Sequence, residues 1–549
     1  MSTADVTHAR DSDAASGSRL VLLVLAAGQF LMTLDSSVMN VSMAYVAEDL
    51  GTSITGIQTA ITLYTLVMAT LMITGGKIGA IIGRRRAFAI GLVIYGVGSF
   101  TTAIAPNLAV LLFGWSLLEG IGAALIMPAI VALVASNFPP ERRAAAYGLV
   151  AASAAMAVAA GPLIGGAVTT FASWRYVFIG EVVIVVIIFL FLRRIEDAPP
   201  EPAKIDLFGS LQSIVGLGMI VFGVLRSSEW GWVIPKPGGT EVLGVSPVVW
   251  LISGGLLVVY GFIRWETHLE ASGGEPLLRP AMLQNGQLSG GLMMFLSQYM
   301  VQAGVFFAVP LFLSVVLELN ALQTGLRLVP LSVALLVAAT AIPKLWPTAN
   351  PRRVVRMGWL VMIVGIAVLT AGMDPAANAS VVAIPMLLMG AGLGALASQL
   401  GAVTVSAVSD SESAEVGGLQ NTATNLGASL GTALIGSVLL AALSTSALTG
   451  IQDDPDVPQS VKEQANTELA GGVPFLSDSQ LQTALSDAGV DQDTADEIVD
   501  VNATARIDAL QVAFALAGLL AIAALFLTGR IPTTSPGSRS ASADAGAGP

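Results

Sequence analysis

The sequence predicts an all-α polytopic membrane protein with fourteen transmembrane helices, and three observations carry that expectation. Of its 549 residues, 54% are hydrophobic and only 11% charged, against about 25% charged in ordinary soluble domains. Apolar runs longer than about 18 residues, enough to cross a hydrocarbon core of roughly 30 Å as a helix, recur along the chain between short polar breaks. Lys and Arg collect in alternate breaks, the asymmetry that orients spans in a membrane.

The runs fall at 20–46, 54–75, 87–105, 107–136, 144–170, 174–192, 207–226, 246–264, 288–317, 322–343, 354–373, 380–408, 416–446 and 507–529. The first carries one carboxylate, Asp35. A charge at that depth costs roughly 2.5–3.5 kcal/mol on insertion scales, so such a group is expected to face a bundle interior or a watery cavity. Helical spacing puts Met32, Met39 and Ser42 on the Asp35 face, read here as the wall of a transport pathway. The competing reading is a hydrogen bond to a neighbouring helix and nothing more.

The breaks set the orientation. Lys77 and Arg84–Arg86 lie between runs 2 and 3, Arg142 and Arg143 between 4 and 5, and Arg193, Arg194 and Lys204 between 6 and 7. Arg264 and Arg279 follow run 8, and Lys344, Arg352, Arg353 and Arg356 follow run 10. Basic loops stay inside, so both termini are expected in the cytoplasm and the protein in the cell's inner (plasma) membrane. The net charge of −12 comes nearly all from residues 449–508, with 13 acids against Lys462 and Arg506. That segment is expected outside, as a small cap with helical pieces near 477–488 and 491–502. The acidity therefore gives no reason to expect a nucleic-acid partner.

GKIGAIIGRRR (76–86) after run 2 is echoed by PKLWPTANPRR (343–353) after run 10. The echo suggests a duplication. It divides the chain into a polar tail (1–18), a six-helix half (19–194), an inserted pair (207–264), a second six-helix half (286–530) that contains the acidic insertion (449–506), and a disordered tail (531–549). The polar start followed by a long apolar run does not read as a cleavable signal. Cysteine is absent, and His8 and His268 fall in a tail and a loop. Thiolate metal sites, Cys nucleophiles and intramembrane histidine chemistry are thereby excluded, and no Gly-x-x-x-x-Gly-Lys-Ser/Thr loop is present to bind ATP. No cofactor, metal or enzymatic activity is expected.

Five stretches resemble motifs of one family, the major facilitator superfamily, in its fourteen-spanner drug:proton antiporter branch. LDSSVMNVS (34–42) resembles the first-helix motif, GKIGAIIGRRR the 2–3 loop motif and GPLIGG (161–166) the antiporter signature. SWRYVF (173–178) and GGLQNTATNLGASLG (417–431) are similar to two further hallmarks. The resemblance implies two six-helix halves that rock against each other. It also implies gating roles for Gly76, Gly83, Arg84, Arg85, Gly161, Pro162, Gly165 and Gly166. Plain topology anchoring and plain helix packing explain the same arginines and glycines equally well.

Departures from the pattern matter. Ala80 stands where the loop motif has Asp, implying a weakened inward gate, a substitute acid or an engineered replacement. In SLLEGIGAA (116–124), Ser116 and Glu119 stand where the family has Arg and Gln, and Glu181 stands for an Asn. Asp35, Glu119 and Glu181 thus become intramembrane proton-coupling candidates, with Glu181 nearest the outer face and open to solvation there. Arg175 and Arg327 are the nearby counter-charges that could turn any of them into a structural ion pair. In run 9, Phe295, Gln298, Tyr299, Gln302 and Phe306 share a side; in run 13, Asn421, Asn425 and Ser429 form an i, i+4, i+8 stripe. Either could be a simple interhelical seam. Together with the acids they describe a cavity suited to lipophilic cations, since aromatic faces attract cations. The expected function is proton-coupled export of amphipathic, cationic drugs, and hence antibiotic resistance, by a monomer in the bilayer. Its partners are a small-molecule substrate and protons. A lipid-like metabolite transporter of the same fold and a non-transporting scaffold or receptor are the alternatives.

Overall fold

The computed structural model describes residues 3–197, 200, 204–236, 240–346, 348–375, 377–408, 413–453, 459, 462–463 and 473–534. Among them no strand forms, only an isolated bridge between Val242 and Val245. Among the described residues fourteen helices are long and apolar enough to cross a membrane. In chain order they are α1 (Thr3–Asp49), α2 (Ile54–Ile82), α3 (Arg84–Ala103), α4 (108–137), α5 (Pro140–Phe171), α6 (Arg175–Phe191), α7 (Leu207–Trp230), α8 (Pro247–Ala271), α9 (Gly286–Leu311), α10 (Ala321–Leu345), α11 (Pro351–Ala371), α12 (Ala383–Val405), α13 (Ser413–Asp453) and, after the short α14 (Asp478–Asp487), α15 (Gln492–Leu527).

The breaks between helices are short because polar residues start the next helix at once. Ser53 accepts from the Gly56 N–H, Asn107 from Val110, Asp206 from Phe208 and Asn350 from Arg353. Asn320 and Gln323 form a full capping box. Each cap satisfies an amide that would otherwise end unpaired near the membrane. Gly83 between α2 and α3 has φ 101°, a value that L side chains rarely adopt, so the chain turns there within one residue.

Packing repeats. The pairs α1–α5, α2–α4, α3–α4 and α3–α6 recur as α9–α13, α10–α12, α11–α12 and α11–α15. The two groups meet along α2–α13 and α5–α10, and the α7–α8 pair lies against α2 and α13 beside the first of these seams. Call the end that carries Arg84–Arg86 the basic end. Many of the contacts across the seams cluster toward the other, acidic end. Gln58 Nε2 donates to the Thr432 and Ala433 carbonyls at 3.1 and 3.2 Å, and Ser429 Oγ donates to Thr62 O at 2.9 Å. On the other seam a Cβ at Gly325 would lie 2.1 Å from Pro162 O, and one at Gly166 2.5 Å from Ala321 O. No larger residue fits there without parting the helices.

Two helices outrun the sequence expectation. α1 extends back to Thr3, and the stretch 491–502 is not a separate piece but the start of α15, a continuous 36-residue helix. Much of the insertion, and the tail residues 535–549, lie outside the described residues. The described part includes a strap, residues 473–480, laid over the acidic end. Arg506 of α15, fully buried, holds it down: its guanidinium donates to Leu476 O at 2.8 Å and Val315 O at 3.3 Å and pairs with Asp478. The Ser479 N–H donates to Glu318 Oε1 at 3.1 Å. Partial burial works to raise the Glu318 carboxyl, but the hydrogen bonds from Ser479 outweigh it and hold it below the usual glutamate value.

Arg506→Ala strands two carbonyls and the Asp478 carboxylate. The expected loss is about 2–3 kcal/mol, in the range for hydrogen bonds to charged groups. It should appear as a thermal midpoint lower by several degrees in detergent; an unchanged midpoint would show that the strap is held by something else.

Candidate functional site

Three carboxyl groups meet inside the first six-helix group. Asp35 from α1, Glu119 from α4 and Glu181 from α6 are 1%, 0% and 1% exposed, and each contributes an oxygen within 4.8 Å of the others. Glu181, expected near the outer face and open to water, is instead a full member of this triad. Among the described residues no Lys, Arg or His pairs with any of the three. Arg175 is spent on Asp49, stacks 4.4 Å over Trp174 and donates to Ala105 O. Arg327 is exposed.

Neutral donors stand in for the missing cation. Trp115 Nε1 donates to Asp35 Oδ1 at 2.8 Å, and the Trp115 ring lies stacked on Tyr64, centroids 4.9 Å apart. From α3, Tyr95 and Ser99 donate to Glu181 Oε2 at 3.0 and 2.9 Å. Thr102 Oγ1 lies 3.1 Å from Glu119 Oε1. One oxygen of each carboxyl keeps no protein partner, nor does the Tyr64 hydroxyl. Three oxygens this close are also the donor type that a hard cation accepts.

Local sequence places these groups. Residues 112–119 of α4 form a π-helical stretch, a conformation often found at functional sites, and Glu119 ends it. Beside it α3 and α4 cross in near contact. A Cβ at Gly98 would lie 2.7 Å from Glu119 Cγ and one at Gly114 2.8 Å from Thr102 Oγ1. Two glycines thus bring Glu119 against the hydroxyl side of α3. Sequence reasoning missed Tyr64, Tyr95, Ser99, Thr102 and Trp115. The signal for three of them was present: Tyr95, Ser99 and Thr102 follow i, i+4, i+7 spacing in an otherwise apolar helix.

The remaining candidates lie elsewhere. Met32 and Met39 are packed into the core at 3% and 1% exposure. A small void between the groups, with room for no more than a single water, is lined on α1 by Ser37, Asn40 and Val41. Opposite stand Pro162 and Phe306, so of the run-9 side Phe306 reaches this void. Gln298 is 4% exposed with its Oε1 unpartnered, and Phe295, Tyr299 and Gln302 are half-buried. Asn425 donates to the Asn421 carbonyl in its own helix, and both are half-buried. Gly161 and Gly165 meet Ser37 and Val38 of α1, whereas Pro162 and Gly166 meet α10.

At the basic end, Arg84 donates to Gly76 O at 2.7 Å and Arg85 to Ile195 O at 3.0 Å. Asp197 accepts from the Arg85 N–H, so an acid after α6 caps α3 beside Gly83. Lys77 reaches the Glu275 and Pro276 carbonyls in the linker before α9.

The Major Facilitator Superfamily model matches residues 25–432. The puromycin resistance protein pur8 of Streptomyces alboniger is 28% identical over 423 residues, 76% of this chain and 81% of that protein. The cephamycin export protein CmcT of Amycolatopsis lactamdurans is also 28% identical, over 76% of this chain and 85% of that protein. Among solved structures, a bacterial homologue of the human lysosomal transporter Spinster, inward-facing and unoccupied, is similar in fold. It matches with a TM-score of 0.59 and 14% identity, covering 94% of this chain and 98% of that one.

Trp115→Phe keeps an aromatic ring against Tyr64 and deletes the one N–H that Asp35 accepts. Leaving a buried carboxyl without that donor costs roughly 1–3 kcal/mol, which should lower the thermal midpoint by several degrees; an unchanged midpoint would mean that Asp35 does not depend on that hydrogen bond.

Proposed function

Since the chain belongs to the major facilitator superfamily, we propose that this multi-pass small-molecule transporter is a proton-coupled exporter of amphipathic, cationic compounds that works by alternating access. The coupling site is the Asp35–Glu119–Glu181 triad. The observation that carries this reading is three carboxyl groups sharing one buried site with no basic partner among the described residues. Ionised together at 4.8 Å, each pair would repel by about 3 kcal/mol at an effective dielectric of 20. The site therefore keeps protons unless it opens to water or meets a cation.

The basic end is taken as cytoplasmic, following the positive-inside pattern. Protons reach the triad when the acidic end is open and leave it when the basic end is open. Each proton moving inward supplies about 2.3 kcal/mol per 100 mV. The triad touches α1, α3, α4 and α6, so a change in its charge acts on helices that pack against the seam helices α2 and α5. Tight approach of Gly166 and Gly325 near the acidic end supports an inward-facing or occluded starting state. The names of the relatives, one for puromycin resistance and one for cephamycin export, support antibiotics as the cargo class. The cationic preference rests on the acids and on the aromatic and amide side of α9. No covalent step is involved, and the protein is not an enzyme.

Proteoliposomes with an imposed pH gradient test this. Wild-type protein should move a fluorescent organic cation against its gradient, and Asp35→Asn and Glu119→Gln should each lower the rate at least about tenfold, equivalent to some 1.4 kcal/mol. Wild-type rates in both variants would remove the triad from the coupling step.

A further inference from the structure

A second hollow lies at the acidic end, apart from the triad. It is a cleft of about 390 Å³, within the range of small-molecule sites. One wall is the α1–α2 corner, with Tyr45 and Glu48; the facing wall is the end of α9 and its loop, with Glu318. These walls belong to different six-helix groups. The third side is the strap, which contributes Phe475 and Ser477. No Lys, Arg or His lines the cleft among the described residues.

The geometry of the cleft is imposed. Glu318 sits at φ 48°, the left-handed backbone of a helix C-cap. It closes the helical turn after α9, with the Leu319 N–H on the Leu313 carbonyl at 3.0 Å, while the Ser479 N–H of the strap holds its carboxylate and buried Arg506 grips both the strap and the neighbouring Val315 carbonyl. Glu48 is exposed and forms no ion pair among the described residues. Two carboxylates and two aromatic rings around a drug-sized hollow favour a cation with an aromatic body.

We propose that this cleft is a second binding site, an exit vestibule that holds an aromatic organic cation after it leaves the interior, with the strap 473–480 as its roof. Its place on the release route rests on the export reading above; its occupancy by such a cation does not. The cleft sits where the two groups would part if the acidic end opened, so cargo leaving the interior passes between Glu48 and Glu318. Among the described residues the strap's hydrogen bonds run to the second group, at Glu318 and Arg506, and so it travels with that group when the mouth widens.

The chain has no cysteine, so a single introduced thiol reports on the cleft. Thr55→Cys, which lines it, is placed in the full-length protein in nanodiscs and alkylated with a membrane-impermeant maleimide. Tetraphenylphosphonium near tenfold its dissociation constant should slow alkylation at least about fivefold, as simple occupancy requires. Tetraphenylborate, an anion of matching shape, should give no protection. Adding Glu48→Gln with Glu318→Gln should abolish the protection. Adding Glu48→Lys alone should abolish it too, protection being read in each variant as the ratio of its own alkylation rates with and without the cation. No slowing by the cation, equal slowing by the anion, or protection that survives both glutamine replacements overturns the proposal. Adding Asp35→Asn separates the two readings: protection should persist while gradient-driven transport is lost. Protection by the cation without any transport by the cysteine-free parent would sink the export reading and leave the site. Transport by that parent without protection would do the reverse.

Discussion

The middle of this bundle is packed with apolar side chains, and an ionised carboxylate tolerates that badly. Three carboxyl groups nevertheless share one spot there, with no cation beside them among the described residues. Much of the first six-helix group can be understood as the answer to that constraint. α3 supplies a row of hydroxyls, α4 loosens into a π-helical stretch that ends on Glu119, and Gly98 and Gly114 let the two helices touch. Trp115 gives its one donor to Asp35 and is itself braced by Tyr64. None of these residues is acidic, yet each makes an acidic group bearable without fixing its charge.

Around that group the packing falls into two blocks. The same helix pairings appear in both six-helix groups, and the seams between groups include close approaches of small residues and backbone acceptors beside a leucine cluster between α2 and α13. Contacts of that kind are short-range and cheap to break one row at a time. The fixed points lie within each block: Arg84 and Arg85 turn to carbonyls of their own group, and Asp197 caps α3 where the missing acid at Ala80 supplies nothing. The family-like loop motif therefore acts here first as a brace inside one block. Lys77 is the exception, since it ties α2 to the linker that leads into α9.

The spans were legible in the sequence because crossing a membrane is a local demand, met by each run on its own. The acids were legible for a related reason: Asp35 stands alone in a long apolar run, and Glu119 and Glu181 stand where the motifs the chain resembles carry a Gln and an Asn. What stayed hidden is rotation. In a helix that is apolar all round, hydropathy puts Met32, Asp35 and Met39 on one face without saying what that face meets. Met32 and Met39 are packed in the core, and the small void meets Ser37 and Asn40. The partners of the acids were hidden too, because a tyrosine or serine in a membrane helix announces no direction. Arg506 is a further case: read only as one of two bases in an acidic stretch, it proves to be the buried peg under the strap.

The hydroxyls of α3 have one more property. Ser99 Oγ lies 2.9 Å from Glu181 and 3.1 Å from the Phe178 carbonyl; Thr102 Oγ1 lies 3.1 Å from Glu119 and 2.9 Å from the Gly98 carbonyl. Each is a rotor with two resting places. When its acid is ionised the O–H points to the acid; when the acid carries hydrogen of its own, the O–H swings to the backbone and accepts instead. On the proton-coupled reading proposed above, a proton would then arrive or depart with only a bond rotation to accommodate it, and the larger rearrangement of helices would be left to follow the cargo.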